Sequence, residues 1–111
     1  MTFRIEITEA AEAEIDESYL YLLLRSPEVA ARWHAAILRT IESLEFMPAR
    51  CSPAPDGSVF EGDIRQAFCS FGRAKYRIIF RIIQNEAEPI VRVLRVRHGA
   101  RRLLDEPDSE A

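Results

Sequence analysis

The chain has 111 residues, of which 48% are hydrophobic and 30% are charged, and its formal net charge is −3. This length fits one domain with a modest core, and the composition is typical of a globular protein. No apolar run approaches the roughly 20 residues of a membrane-spanning helix, and the N-terminus shows neither a basic leader nor an apolar signal segment, so we expect a cytoplasmic protein with no membrane contact.

The charges are divided unevenly along the chain. Residues 1–62 hold 11 acidic and 5 basic residues, whereas residues 63–104 hold 10 basic and 3 acidic residues. We treat residues 1–104 as one domain and residues 105–111 as an acidic tail. This division indicates that the C-terminal half of the domain contacts an anionic partner. Arginines that lie along apolar neighbours with solvated heads would give the same pattern.

The N-terminal segment alternates apolar and charged residues from Thr2 to Ile7. This alternation predicts a short strand, at an edge of the sheet or beside its last strand. Thr8 follows in the position of a helix N-cap. The helix that it starts carries apolar residues at spacings of three and four, and we expect this helix to end near Arg25.

A second helix begins directly after the first. Ser26 is placed to cap it, and Pro27 suits the first helical position because proline lacks only an N–H that would be unpaired there. The apolar stripe of this helix runs to Leu44, and Pro48 stops it. Two amphipathic helices joined by so short a break predict an antiparallel helical hairpin, with Trp33 buried inside it.

Three strands follow a connecting segment. Residues 48–62 hold three prolines and two glycines, which predict a surface loop. Gly72–Arg73 then forms a tight turn between the first two strands, and a polar break at residues 85–88 separates the last two. The predicted strands cover residues 63–71, 73–84 and 89–98.

This order of elements predicts an α+β domain. An N-terminal strand and an antiparallel helical hairpin precede a three-stranded antiparallel meander, and the helices lie on one face of the sheet. Apolar side chains that alternate along the last two strands are expected to face the helices. They are Tyr76, Ile78, Phe80 and Ile82 on the first strand, and Ile90, Leu94 and Val96 on the second.

No element is left to cover the other face of the sheet, so we expect that face to be bare. Arginines occupy many of the alternate strand positions. We therefore predict a cationic docking surface for an anionic partner, which contains Arg77, Arg81, Arg95 and Arg97.

Templates for metal and cofactor binding do not match this sequence. The four glycines are not clustered into a phosphate loop, and two histidines with two cysteines at these separations do not supply a zinc site. We therefore predict no metal and no cofactor. Cys51 and Cys69 are expected to be free thiols.

One metal-free chemistry remains open. Arginine can hold a phosphate and stabilise charge that develops on it, and histidine can transfer a proton. Such groups would suit cleavage of an RNA backbone by its own 2′-hydroxyl. The other interpretation is structural, with arginines that pair with acids and a histidine that has no catalytic role. The candidate catalytic residues are Arg65, Arg77, His98 and Arg101.

The order of the elements and several short segments resemble the RelE/ParE superfamily of bacterial toxins, from Phe3 to about Leu104. The segments that carry the resemblance are Ala30–Trp33, Leu44–Pro48, Asp63–Arg65, Tyr76–Phe80 and Val93–Arg101.

The resemblance implies the toxin of a type II toxin–antitoxin module, of the sort associated with plasmid stabilization, and a complex with a small antitoxin that binds it directly. The long helical hairpin and the ending from His98 to Arg101 look more like ParE, which implies inhibition of DNA gyrase without a reaction of its own. The alternative is a ribosome-dependent mRNA endonuclease of the RelE kind. A non-toxic homologue that only forms a complex with its partner is a third possibility.

For the RelE alternative, the resemblance assigns phosphate contacts to Arg77 and Arg101, and Arg65 falls where that group often has a basic residue. His98 would replace a tyrosine that is missing from the C-terminal segment. Ala67 departs from the RelE pattern, because it stands where a further lysine is expected.

Overall fold

The structure is a computed structural model that describes residues 2–84 and 87–104. The predicted acidic tail at 105–111 lies outside the described residues, as do residues 85 and 86 of the predicted break at 85–88. The described chain folds into two helices and a five-stranded sheet. In chain order the elements are β1 (Arg4–Ile7), α1 (Glu9–Leu23), α2 (Pro27–Glu42), β2 (Ser52–Pro53), β3 (Asp63–Phe71), β4 (Ala74–Ile83) and β5 (Ile90–His98), with 3₁₀ turns at Ser43–Glu45, Pro48–Arg50 and Gly57–Val59.

The strands lie in the order β1-β5-β4-β3-β2. β1 pairs in parallel with β5, whereas all other neighbours are antiparallel. The predicted α+β class, the helical hairpin, the three-stranded meander and the position of β1 beside the last strand are confirmed. The two-residue strand β2 was not predicted, because Ser52 and Pro53 are too few to show a periodic pattern.

Both helix starts form as the sequence predicts. The hydroxyl of Thr8 accepts a hydrogen bond from the amide of Ala11 at 3.2 Å and donates one to the carbonyl of Leu94 at 3.1 Å, so it fastens α1 to β5. The hydroxyl of Ser26 accepts from the amide of Val29 at 3.3 Å. These bonds satisfy amide groups that have no partner within the helix.

The main core lies between the helices and one face of the sheet. Trp33 is fully buried, as predicted, and its ring meets the edge of Tyr76 with centroids 5.4 Å apart. Among the described residues, no helix has the length and apolarity needed to cross a membrane. The largest buried side chains of this core are Trp33, Ile37, Leu44, Ile78, Phe80, Val91 and Val93.

The predicted inward set on β5 is partly wrong. The pairing of β4 with β5 shifts between Ile79 and Phe80, so that Ile79 lies opposite Arg95 and Phe80 lies opposite Val93. Leu94 is therefore the additional residue of a β-bulge, and the alternation of faces reverses across it. Leu94 packs on the face away from the helices, whereas Val96 does face them, as predicted.

The expectation of a bare second face is also wrong. Residues 54–60, which the sequence predicted to be a surface loop, lie across that face, and Leu104 packs beside them. The chain thus supplies a third layer from segments that have no long helix or strand. We call the apolar residues of this layer, together with the strand residues against which they pack, the second cluster. Its members are Ala54, Val59, Phe60, Ile64, Ile79, Leu94 and Leu104.

Candidate protein-docking groove at the sheet edge

Arg77 lies under the second cluster, where it forms the most buried ion pair given by the structure. Its guanidinium donates to both carboxylate oxygens of Asp56, at 3.0 and 2.7 Å, and also to the side-chain oxygen of Gln66 at 3.0 Å. The Asp56 side chain is only 2% exposed. It also accepts from the amide of Leu104 at 2.8 Å, so one carboxylate joins the sheet to the C-terminal segment.

The surroundings of Asp56 favour its charged form. The hydrogen bond from Arg77 lowers the pKa of Asp56 to about 2 from 3.8, with a smaller contribution from the Leu104 amide, although burial acts in the opposite direction. Two parallel bonds between a guanidinium and a carboxylate are a strong and directional form of ion pair. Arg77 is therefore already occupied within the molecule.

Other sheet arginines also have internal partners. Arg81 donates to the carbonyl of Glu61 at 2.6 Å. Arg95 forms two bonds to the carboxylate of Glu14 on α1, at 2.9 and 2.8 Å. Arg97 donates to the carbonyl of Arg102 at 2.9 Å, and burial together with neighbouring arginines lowers its pKa.

These contacts overturn the predicted physical basis of the cationic docking surface. Arg77 and Arg81 are buried, and the second cluster covers the face to which they project. Arg95 lies opposite Ile79, and its guanidinium is already bound to Glu14 on α1. A binding role for Arg77, Arg81, Arg95 or Arg97 stays a prediction, but the bare surface on which it was based is not present in the described structure.

The four candidate catalytic residues are not brought together. Arg65 lies opposite Phe80, whose side chain is in the main core, so Arg65 projects on the helix side of the sheet. It donates to Asp63 and to the carbonyls of Ala49 and Cys51, which holds residues 49–51 against β3. Arg77 is on the opposite face.

His98 and Arg101 lie at the far end of β5. His98 is exposed, its ring meets the edge of Tyr76 with centroids 5.1 Å apart, and its Nδ1 accepts from the amide of Ala100 at 3.1 Å. Arg101 is exposed beyond the strand. Arg65 and Arg77 on opposite faces cannot contact the same phosphate, so the geometry does not favour a joint catalytic role for the four residues.

The outer edge of β3 is open over half its length. β2 pairs with β3 only at Gln66 and Arg65, and the carbonyl of Ile64 accepts from Ala54 on the same side at 3.1 Å. Alternate residues of an antiparallel strand present their amide groups to the same side. Phe68 and Ser70 therefore direct N–H and C=O groups outward, and no strand of the described chain pairs with them there.

A groove of about 600 Å³ runs beside this open edge, between α2 and β3, and we call it the edge groove. Ala36, Arg39 and Thr40 form its α2 side, and residues 67–70 form its β3 side. Arg50 closes one end by donating to the carbonyl of Ser43 at 3.1 Å. The residues that line the groove include two arginines and no acid.

The opposite edge of the sheet is built differently. β1 has only four residues, and its outer surface carries ion pairs of Arg4 with Glu6 at 2.9 Å and with Glu88 at 2.7 Å. Glu6 also pairs with Arg92 at 3.0 Å. Short, charged edges resist pairing with other chains, whereas long uncharged edges favour it. Residues 67–71 have no charged side chain, so β3 is the edge that can accept another strand.

The edge groove therefore suits an extended acidic peptide. The peptide backbone can pair with Phe68 and Ser70, and its carboxylates can reach Arg39 and Arg50. Sequence reasoning missed this site because it depends on where β2 ends. The uncharged stretch from Ala67 to Phe71 within an otherwise basic half was the available signal.

Three comparisons with known proteins complete this description. A chain of the chromosomal ParDE TA system from P. aeruginosa has a similar fold, with a TM-score of 0.63 and 20% sequence identity, over 87% of this chain and 96% of that chain. At this identity the similarity shows the fold alone. No curated protein matches the sequence. A family model, that of the ParE toxin of type II toxin–antitoxin system, parDE, matches residues 5–103.

Proposed function

Because the chain belongs to the ParE toxin family of type II toxin–antitoxin systems, we propose that it is neutralised by an antitoxin bound in the edge groove and that it inhibits DNA gyrase in the cytoplasm. The family match over residues 5–103 is the observation that carries this proposal, because it spans nearly the whole domain. The open edge of β3 and the two arginines of the edge groove support this position for the antitoxin.

The groove supports an antitoxin segment that is disordered before it binds. Such a segment adds a strand to β3 by pairing with the backbone groups of Phe68 and Ser70, and its acidic side chains face Arg39 and Arg50. The charges increase the association rate, while the paired backbone and buried apolar groups maintain the complex.

The Phe68→Pro substitution tests strand addition, because proline removes the outward N–H that the antitoxin strand needs. Proline is tolerated at a strand edge when that N–H faces solvent. We expect Phe68→Pro to weaken binding of the purified cognate antitoxin at least tenfold in isothermal titration calorimetry.

The Phe68→Ala substitution is the matched control, because it also removes the aromatic side chain but retains the N–H. We expect its affinity to stay within threefold of the unmodified protein. Equal affinities for the two variants, with circular dichroism showing both to be folded, would contradict strand addition.

Gyrase inhibition is favoured over mRNA cleavage by the placement of the basic residues. Metal-free cleavage needs several groups around one phosphate, whereas Arg65 and Arg77 lie on opposite faces and Arg77 is bound to Asp56. A protein that acts by binding another protein has no such requirement.

Supercoiling assays with purified gyrase test the proposed target. We expect the protein to inhibit supercoiling and an equimolar amount of antitoxin to restore it. Full gyrase activity at a large excess of the protein would reject the gyrase proposal. New 5′ ends in primer extension of translated messages would support the RelE alternative instead.

A further inference from the structure

A second cavity lies beyond the closed end of the edge groove, and we call it the Met47 cleft. It has a volume of about 580 Å³, and its apolar wall includes Phe3, Pro48 and Ile82. Met47 stands at its rim and is 72% exposed, and the adjacent Phe46 is 59% exposed. Exposed large apolar residues at an apolar cavity are typical of a protein-contact site.

The backbone holds Met47 in this position at a cost in free energy. Its φ angle is +45°, and Met47 is the one described residue other than glycine with a positive φ. The following Pro48 disfavours the ordinary helical conformation at Met47, and Pro48 itself is fully buried. Non-glycine residues with this conformation cost about 1–3 kcal/mol and are frequent at functional sites.

The Met47 cleft is adjacent to the edge groove. Arg50 lines both cavities, and the 3₁₀ turn Pro48–Arg50 separates them. β3 passes along both, since residues 67–70 line the groove and Asp63 lines the cleft. At about 3.3 Å per residue, β3 spans roughly 30 Å, so an extended segment of about ten residues reaches from one cavity into the other.

From this adjacency we infer that the antitoxin segment proposed above extends past Arg50 and inserts a bulky apolar side chain into the Met47 cleft. The inference rests on the proposed function. It specifies a recognition pattern in which residues paired with the β3 edge are followed by a carboxylate near Arg50 and then by an apolar residue that contacts Met47. The cleft would therefore distinguish the cognate segment from other acidic segments.

Methionine methyl signals provide a direct test in the unmodified protein. The chain has two methionines, Met1 and Met47, so labelling with ¹³C-methyl methionine gives two signals, and the Met47→Gly variant identifies one of them. We expect the Met47 signal to shift when purified cognate antitoxin is added. An unchanged Met47 signal in a saturated complex would overturn the inference.

The Met47→Gly variant also tests how much the Met47 side chain contributes to the free energy of antitoxin binding. Glycine adopts positive φ angles readily, so this change removes the side chain and retains the backbone. We expect at least a tenfold loss of antitoxin affinity. Leu24→Ala is the control, because Leu24 is 88% exposed at the end of α1, and its affinity should stay within twofold.

The two proposals fail in different ways. If Phe68→Pro weakens binding and Met47→Gly does not, the cleft inference is wrong and the edge groove stands. If the antitoxin does not bind the unmodified protein at all, both proposals are wrong.

Discussion

The two faces of the sheet are covered by different means. The helices α1 and α2 cover one face with large apolar side chains, among them Trp33 and Ile37, which are fully buried. Residues 54–60 and Leu104 cover the other face with a smaller cluster that surrounds the Asp56–Arg77 pair. Apolar burial has no direction and increases with area, whereas an ion pair depends on one geometry. The second face should therefore respond to charge and pH, and the first should respond mainly to lost volume.

The Phe80→Ala substitution should have the largest effect, because it opens a cavity on the helix-covered face. Phe80 is fully buried in the main core. Substitutions of this kind reduce the free energy of unfolding by about 3–5 kcal/mol. Urea unfolding measures the change, and Phe46→Ala is the control because Phe46 is 59% exposed. A loss smaller than that of Phe46→Ala would contradict the assignment of the main core.

The Asp56→Ala substitution should come next, because it leaves the Arg77 charge buried without its carboxylate. Breaking a buried pair in this way costs about 3–5 kcal/mol; we expect the lower end, since Gln66 still accepts a bond from Arg77. Urea unfolding measures this loss. Glu6→Ala at the charged β1 edge is the comparison, and it should cost less than about 1 kcal/mol because the partners of Glu6, Arg4 and Arg92, are 51% and 33% exposed. Similar losses in the two variants would remove the distinction between a buried and an exposed pair.

Acidification should have the smallest of the three effects. The folded-state pKa of Asp56 is about 2, below the ordinary 3.8, so the stabilisation is present above pH 3.8 and is lost as the pH falls toward 2. The shift corresponds to roughly 2 kcal/mol. The difference in unfolding free energy between the unmodified protein and Asp56→Asn should therefore be smaller at pH 2.5 than at pH 5. A constant difference across this range would show that Asp56 is not the titrating group.

The sequence was sufficient for elements that have a local or periodic signal. Thr8, Ser26 and Pro27 mark the helix starts, and the alternation along β4 identifies its two faces. The second cluster has no such signal, because residues 54–60 contain apolar residues without a period between prolines and glycines. Asp56 was the one available indication, as it is the single charged residue between Arg50 and Glu61 and lies in the chain before a basic sheet.

Other features depend on pairing between distant parts of the chain, so they could not be predicted from the local sequence pattern. The bulge at Leu94 reverses the faces of β5, and nothing in the apolar spacing distinguishes a regular strand from a bulged one. Arg95 is bound to Glu14 on α1, which is 81 positions away in the chain. The edge groove likewise depends on β2 ending after two residues. The internal partners of the sheet arginines are likewise distant in the chain.

The parallel pairing of β1 with β5 affects how the protein is made. Arg4 at the start of the chain lies beside Ile90, and the cap of α1 at Thr8 is bonded to Val93 and Leu94. While the ribosome has not yet released β5, β1 lacks the strand with which it pairs, and Thr8 lacks its bonds to Val93 and Leu94. The sheet is therefore completed only after translation reaches its last strand, and a prematurely terminated product that lacks β5 cannot assemble this fold.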